Sequence, residues 1–176
     1  PEFPDFAKGN TAARLDGKSA YFSVVDTGPD SKFDFANGDA ITLEAWVKLD
    51  GIRNGQPMYV IGKGRTNSPK FARDNQNWSF RVVGSKGMAS LGFLFAGKPG
   101  AGTAHWHRWT SNAGFETATG WHHVAIAYRF GEPKTMRGWI DGQPTDGTWD
   151  LGGATTEPPI VDDDAVWIGS SLGGNP

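Results

Sequence analysis

"DAITLEAWVKLDG", residues 39–51, decides the fold. Ile41, Leu43, Ala45, Val47 and Leu49 fall on one side of an extended chain, and Thr42, Glu44, Trp46 and Lys48 on the other. Successive strand side chains point to opposite faces, so the segment reads as a strand with one buried side. "GWHHVAIAYRFG", residues 120–131, repeats the pattern, with His122, Val124, Ile126, Tyr128 and Phe130 sharing a face. "NWSFRVVG" and "ASLGFLFAG" are short apolar strands rich in aromatic and β-branched residues. "MRGWIDGQPTDGTWD" reads as a hairpin turning at Asp141-Gly142. Further turn signals recur at Asp16-Gly17, Gly28-Pro29, Asn37-Gly38, Asn54-Gly55, Pro99-Gly100 and Asp146-Gly147. No segment carries a helical apolar stripe. Short strands between regular turns predict a single all-β domain over residues 1–176, a two-sheet antiparallel sandwich.

The composition narrows the function. The chain has 176 residues, enough for one domain with a real core. No apolar run is long enough for a membrane-spanning helix or a signal peptide, so membrane insertion is not expected. Pro1-Glu2-Phe3 reads as a cloning scar, and the rest as a module of something larger. There is no cysteine, which excludes disulfides, zinc–thiolate sites and thiol catalysis. A net charge of −2 argues against nucleic acid as a partner. Residues 51–103 nevertheless hold Arg53, Lys63, Arg65, Lys70, Arg73, Arg81, Lys86 and Lys98 against Asp74 alone, a local charge of +7. That segment reads either as scattered surface charge or as a face for an anionic ligand.

Taken in order, "ARLDGKSAYFSV", "DAITLEAWVKLDG", "YVIGKG", "WSFRVV", "GWHHVAIAYRF" and "RGWIDGQP" resemble a laminin G-like, concanavalin A-like jelly-roll module. "GTWDLGG" and "VDDDAVWIGSSLGG" resemble such modules in large secreted or periplasmic bacterial proteins. The resemblance implies two antiparallel sheets, one concave, often a bound calcium, and in many relatives a glycan or protein partner. It also implies an extracellular, cell-surface or periplasmic location. The chain departs from the pattern at two places. Ala20 stands where relatives often carry an Asp, and the chain stops at Gly173-Gly174-Asn175-Pro176, before a final strand like "IDEVRIY". A calcium resting on those positions is therefore left open, and the last strand is expected to be missing.

Catalysis is not expected. Glycoside hydrolases of this fold place carboxylates as E-x-D-x-x-E on one strand, whereas the only Glu residues here are Glu2, Glu44, Glu116, Glu132 and Glu157. HExxH is absent. In "TAHWHRWTSNAG", residues 103–114, His105 and His107 could bind a metal, but His123 is the one candidate third ligand, and zinc sites need three or four. Asp162-Asp163-Asp164 is the calcium candidate, since calcium takes clustered carboxylates with loop carbonyls; a solvated turn is the alternative.

Eight tryptophans are more than one small core usually holds. Trp46, Trp121, Trp139 and Trp167 fit strand positions, while Trp78, Trp106, Trp109 and Trp149 are less accounted for. On a strand, Trp106 and Trp109 cannot share a face, so Trp106 is assigned inward and Trp109 outward as a platform for sugar rings. His107, Arg108 and Asn112 beside it, with Arg73 and Trp78, complete the expected ligand surface. The alternative is that both indoles plug the edge of the sandwich. The expectation is thus a non-catalytic carbohydrate-binding module, for an anionic polysaccharide or glycan, attached to neighbouring domains of a parent protein. The competing reading is a structural or protein-docking domain.

Overall fold

The alternating segments pair as eleven strands, with no α-helix among the described residues, which are 9–99 and 102–172 of the computed structural model. The expectations about Pro1-Glu2-Phe3 and about a strand beyond Gly173 lie outside those residues. The strands are β1 (Phe22–Val24), β2 (Ala40–Val47), β3 (Pro57–Lys63), β4 (Trp78–Ser85), β5 (Met88–Ala96) and β6 (Trp106–Glu116). They continue with β7 (His122–Arg129), β8 (Arg137–Ile140), β9 (Gln143–Thr145), β10 (Gly147–Leu151) and β11 (Val166–Ile168). All pairings are antiparallel. One sheet has the order β1-β11-β3-β4-β5-β6-β10 and the other β2-β7-β8-β9.

The two alternating segments that decide the fold face each other as neighbours, with Ile41 opposite Tyr128 and Leu43 opposite Ile126. Their apolar side meets Phe93 and Phe95 of β5. Phe93, Phe95, Tyr128 and Phe130 form one aromatic cluster, with ring centroids 5.2–6.1 Å apart. Such tilted and edge-on pairs add to plain area burial. The predicted hairpin forms at Asp141 and Gly142, both at positive φ, as a two-residue turn with a primed twist requires. Past it, β10 leaves the four-stranded sheet and pairs with β6 of the other, closing one side of the sandwich.

Trp109 is a correction to the expected platform. It lies opposite Phe93 and Trp149 in register and is only 3% exposed, inside the main core. Its indole fills a slot whose walls are Gly138 of β8 and Gly147 of β10. A Cβ at Gly138 would come 2.8 Å from the Trp109 ring. Trp78 is corrected likewise. It is buried against Phe35, and its Nε1–H donates to the Phe33 carbonyl at 2.9 Å. Trp106 does point the opposite way from Trp109, as alternation requires. It is buried too, in a second cluster with Leu94, Ala96 and Ile160 on the outer side of the large sheet.

A charged pair sits fully inside. Lys63, at the end of β3, reaches Asp26 and Asp34, which lie in the segment joining β1 to β2. Burial pushes both carboxyls up. At Asp26 the hydrogen bonds from Lys63, Gly28 and Ser31 outweigh burial and hold the group below its ordinary value. At Asp34 burial prevails, helped by the charges of Asp26 and Asp163, and the group stays raised.

These contacts predict two outcomes. Trp109→Ala should destabilise the domain by about 3–5 kcal/mol in urea unfolding, the usual cost of deleting a buried aromatic; an unchanged midpoint would contradict its place in the core. Lys63→Met should destabilise by about 3–5 kcal/mol at neutral pH, because it strands two buried carboxylates. Without the ammonium, burial acts on Asp34 with no opposing cation, so its folded pKa rises further above the unfolded value, while Asp26 keeps only the bonds from Gly28 and Ser31 against burial. Stability linked to Asp34 is then present at low pH and lost as pH rises. The gap to wild type should therefore shrink as pH falls through the carboxylate range; a gap constant with pH would contradict the ion cluster.

Candidate functional site

Strands β4 and β5 are buried on both faces apart from their ends. The four-stranded sheet covers the inner face. The outer face carries a polar row that crosses five strands in register: Tyr59, Arg81, Gly92, Thr110 and Thr148. The adjacent row holds Ser79, Leu94 and Arg108.

Arg81 is the centre of this surface. It is 4% exposed, and its guanidinium carbon lies 5.9 Å from the Tyr59 ring centroid. Its neighbours are spoken for. Arg108 forms a two-pronged pair with Asp150, at 2.7 and 3.0 Å. Arg65 lies over the Trp106 ring at 4.7 Å, donates to the Tyr59 hydroxyl at 2.9 Å and approaches Asp74 at 3.9 Å. The Tyr59 hydroxyl in turn donates to Gln76 at 2.9 Å. Arg81 has no carboxylate partner among the described residues, and its Nε has no acceptor; nor have the Nε of Arg65 and the buried hydroxyl of Thr110 a partner. Burial lowers the pKa of Arg81, and the nearby charges of Arg108 and Arg65 lower it further against the opposing Tyr59.

At the end of this face the 63–77 loop meets residues 97–99 and 102–106. Trp106 Nε1–H donates to the Asp74 carbonyl at 3.0 Å, and the Gly102 N–H donates to the Asp74 carboxylate at 2.8 Å. Between these loops and the segment before β11 lies a depression of about 420 Å³, lined by Lys70, Phe71, Asn75, Pro99, Ile160 and Asp162 among others. Arg73 is exposed on the same loop, and Lys98 on the facing one pairs with Glu157 at 3.0 Å. The +7 segment is therefore divided. Arg65 and Arg81 share the outer face, Lys70 lines the depression with Arg73 and Lys98 on the adjoining loops, and Lys63 is spent inside the sandwich.

The other expected residues scatter. His107 points inward and is almost fully buried, with Nδ1 3.0 Å from the Gly153 carbonyl and its ring against Phe95. That corrects its assignment to a ligand surface. Asn112 is exposed on β6, beyond the arginines. His123 sits on the other sheet beside Glu44, at 3.4 Å, so it cannot join His105 and His107. The carboxylates of Asp162, Asp163 and Asp164 turn to separate partners. Asp164 is buried and accepts from the Thr66 hydroxyl and the Ala165 N–H, Asp162 accepts from Asn75 and the Asp164 N–H, and Asp163 faces solvent. Calcium needs six to eight oxygens around one point, and among the described residues no group of three acidic, histidine or cysteine side chains could hold an ion.

Sequence reasoning named Arg108 as a ligand residue, counted Arg81 only within the +7 segment, and missed Tyr59, Thr110 and Asp150. One signal was present: Arg81 is the sole charge in the apolar run "WSFRVV". Its neighbours come from four other strands, and their register is not written in local sequence.

No curated protein matches the chain. Among solved structures, the crystal structure of the Emp47p carbohydrate recognition domain superposes with a TM-score of 0.40 at 11% identity, covering 94% of this chain and 86% of that one. The Laminin_G_3 family, described as the concanavalin A-like lectin/glucanases superfamily, matches residues 16–176. With that match spanning nearly all of two antiparallel sheets in sandwich order, the chain belongs to the concanavalin A-like lectin/glucanase superfamily.

Proposed function

We propose that the chain is a non-catalytic carbohydrate-binding module for an acidic polysaccharide, working outside the cytoplasm as part of a larger protein. The observation that carries this is the loop depression. It joins apolar surface from Phe71, Pro99 and Ile160 to the hydrogen-bonded Asn75–Asp162 pair, with Lys70 at its rim and Arg73 and Lys98 exposed on the adjoining loops. Sugar rings need this mixture, with apolar faces for their C–H groups and polar atoms for their hydroxyls. The rim favours a polymer of negative charge. The family's description includes lectins, which agrees with this reading.

The same surface argues for binding without hydrolysis. Glycoside cleavage needs two carboxylates facing one bond. Here Asp150 is held by Arg108, Asp74 lies beside Arg65, and Asp162 is bound to Asn75. Binding is also proposed to need no calcium, given how the Asp162–Asp164 oxygens are engaged. A second reading, docking onto a neighbouring domain, is favoured by the edge strand β1. There Tyr21, Phe22, Val24 and Val25 are exposed together. Among the described residues no helix is long and apolar enough to cross a membrane.

Affinity electrophoresis tests the first reading. Gels containing polygalacturonate should retard the protein more than gels containing dextran. The retardation should fall as salt rises, since exposed charges are screened over about 8 Å at physiological ionic strength. Equal mobility in both gels would contradict it. Retardation and melting temperature should be the same in EDTA as in millimolar calcium; a rise in melting temperature with calcium would return the ion to the structure.

A further inference from the structure

We propose that Arg81, with Thr110 and the rimming Arg65, forms a receptor for a single oxyanion on the outer face of the seven-stranded sheet, the carboxylate of a uronate or a sulfate ester. This deepens the glycan reading and rests on it for the polymer, though not for the anion.

The argument starts from what a buried guanidinium requires. An arginine taken out of water is ordinarily paired with a carboxylate or bonded through each N–H. Arg81 is 4% exposed, lies by the Tyr59 ring and hydrogen-bonds that residue, has the charges of Arg108 and Arg65 nearby, and its Nε has no acceptor. The Arg65 Nε and the Thr110 hydroxyl are in the same state. Three unsatisfied donors therefore lie on or beside one row of the sheet. An oxyanion has the complementary chemistry: several acceptor oxygens, a negative charge, and a planar or tetrahedral shape that guanidinium groups bind well.

Gly92 lies between Arg81 and Thr110 in register and places no side chain between them, and a Cβ there would meet Val83 Cγ2 at 3.1 Å and the Arg81 Cγ at 3.4 Å. Arg65 and Arg108 stand at the rim with partly exposed side chains, 14% and 30%. Asp74 and Asp150 neutralise these two, so Arg81 is the charge left over. Its chemistry suits a monoanionic group better than a neutral hydroxyl, which could return only one hydrogen bond.

The experiment compares wild type, Arg81→Met, Arg81→Lys and Thr110→Val by thermal melting and by affinity electrophoresis. The probes are glucuronate, inorganic sulfate, polygalacturonate and dextran. Glucuronate or sulfate should raise the wild-type melting temperature in a saturable manner, and the one with the larger shift identifies a carboxylate or a sulfate ester. Arg81→Met should abolish that shift. Without anion it should melt no lower than wild type, and up to about 3 °C higher, because it removes an uncompensated buried charge. Arg81→Lys keeps the charge without the fork and should weaken the anion shift at least tenfold. Thr110→Val should weaken it several-fold.

If wild type binds polygalacturonate and Arg81→Met binds it equally, the receptor is overturned and the glycan reading stands. If no polymer binds but glucuronate stabilises wild type alone, the receptor stands and the glycan reading falls. A wild-type melting temperature indifferent to both anions overturns the receptor, its donors then being satisfied by buried water. If Arg81→Met does not fold, Arg81→Lys decides: a folded variant with the full anion shift overturns the proposal.

Discussion

The constraint on which the rest of the structure depends is that the middle of the seven-stranded sheet has no solvent face. From Ala89 to Ala96 every residue of β5 is buried. An antiparallel sheet in a small sandwich usually keeps one side wet, and here both must be covered. The inner side is covered by the four-stranded sheet, through Phe93 and Phe95 against Tyr128 and Phe130. The outer side is covered by loops, through Leu94, Ala96, Trp106 and Ile160 at one end and by the Tyr59–Arg65–Arg81 assembly beside it. Loops cannot cover a sheet with apolar side chains alone, because their own backbone needs partners. Gln76 bonding to the carbonyls of Lys63 and Trp78, and Asn77 to that of Ile160, meet that need.

The buried Lys63 fits the same logic. It ties the long connection carrying Asp26 and Asp34 to the end of β3, where the chain turns through Gly64 and Arg65, both at positive φ. The strand end is thereby fixed, and the direction in which Arg65 leaves it is fixed as well. From there its guanidinium reaches the Trp106 ring on β6, three strands away. An ion cluster with no surface role thus holds the loop that lies over the outer face.

Much of the fold was legible because period-two alternation is a local property. Ile41 to Leu49, His122 to Phe130 and the Asp141-Gly142 turn each declare their structure within a dozen residues. Alternation also separated Trp106 from Trp109 correctly. It could not say which indole faces the other sheet, because in β6 both sides are covered in the half that carries them. The slot for Trp109 depends on Gly138 and Gly147, about 30 and 40 residues onward, and only tertiary pairing brings them there. The partners of the acidic triplet were hidden for a related reason. Adjacent carboxylates look like a cation site in sequence, yet Asp162 and Asp164 bond to Asn75 and Thr66, about ninety residues earlier.

A charged group buried without its counter-charge lowers stability, and proteins keep such groups where the missing partner arrives from outside. Arg81 fits that description. Its Nε–H can be observed directly in a nitrogen–proton correlation spectrum of protein labelled at arginine, since burial slows exchange of that proton with water. Titration with glucuronate or sulfate should move one protected Arg Nε–H resonance, absent from Arg81→Lys, along a saturable curve, with a smaller shift at Arg65. An Arg81 resonance that stays in place while either anion is added to saturating concentration would contradict the account.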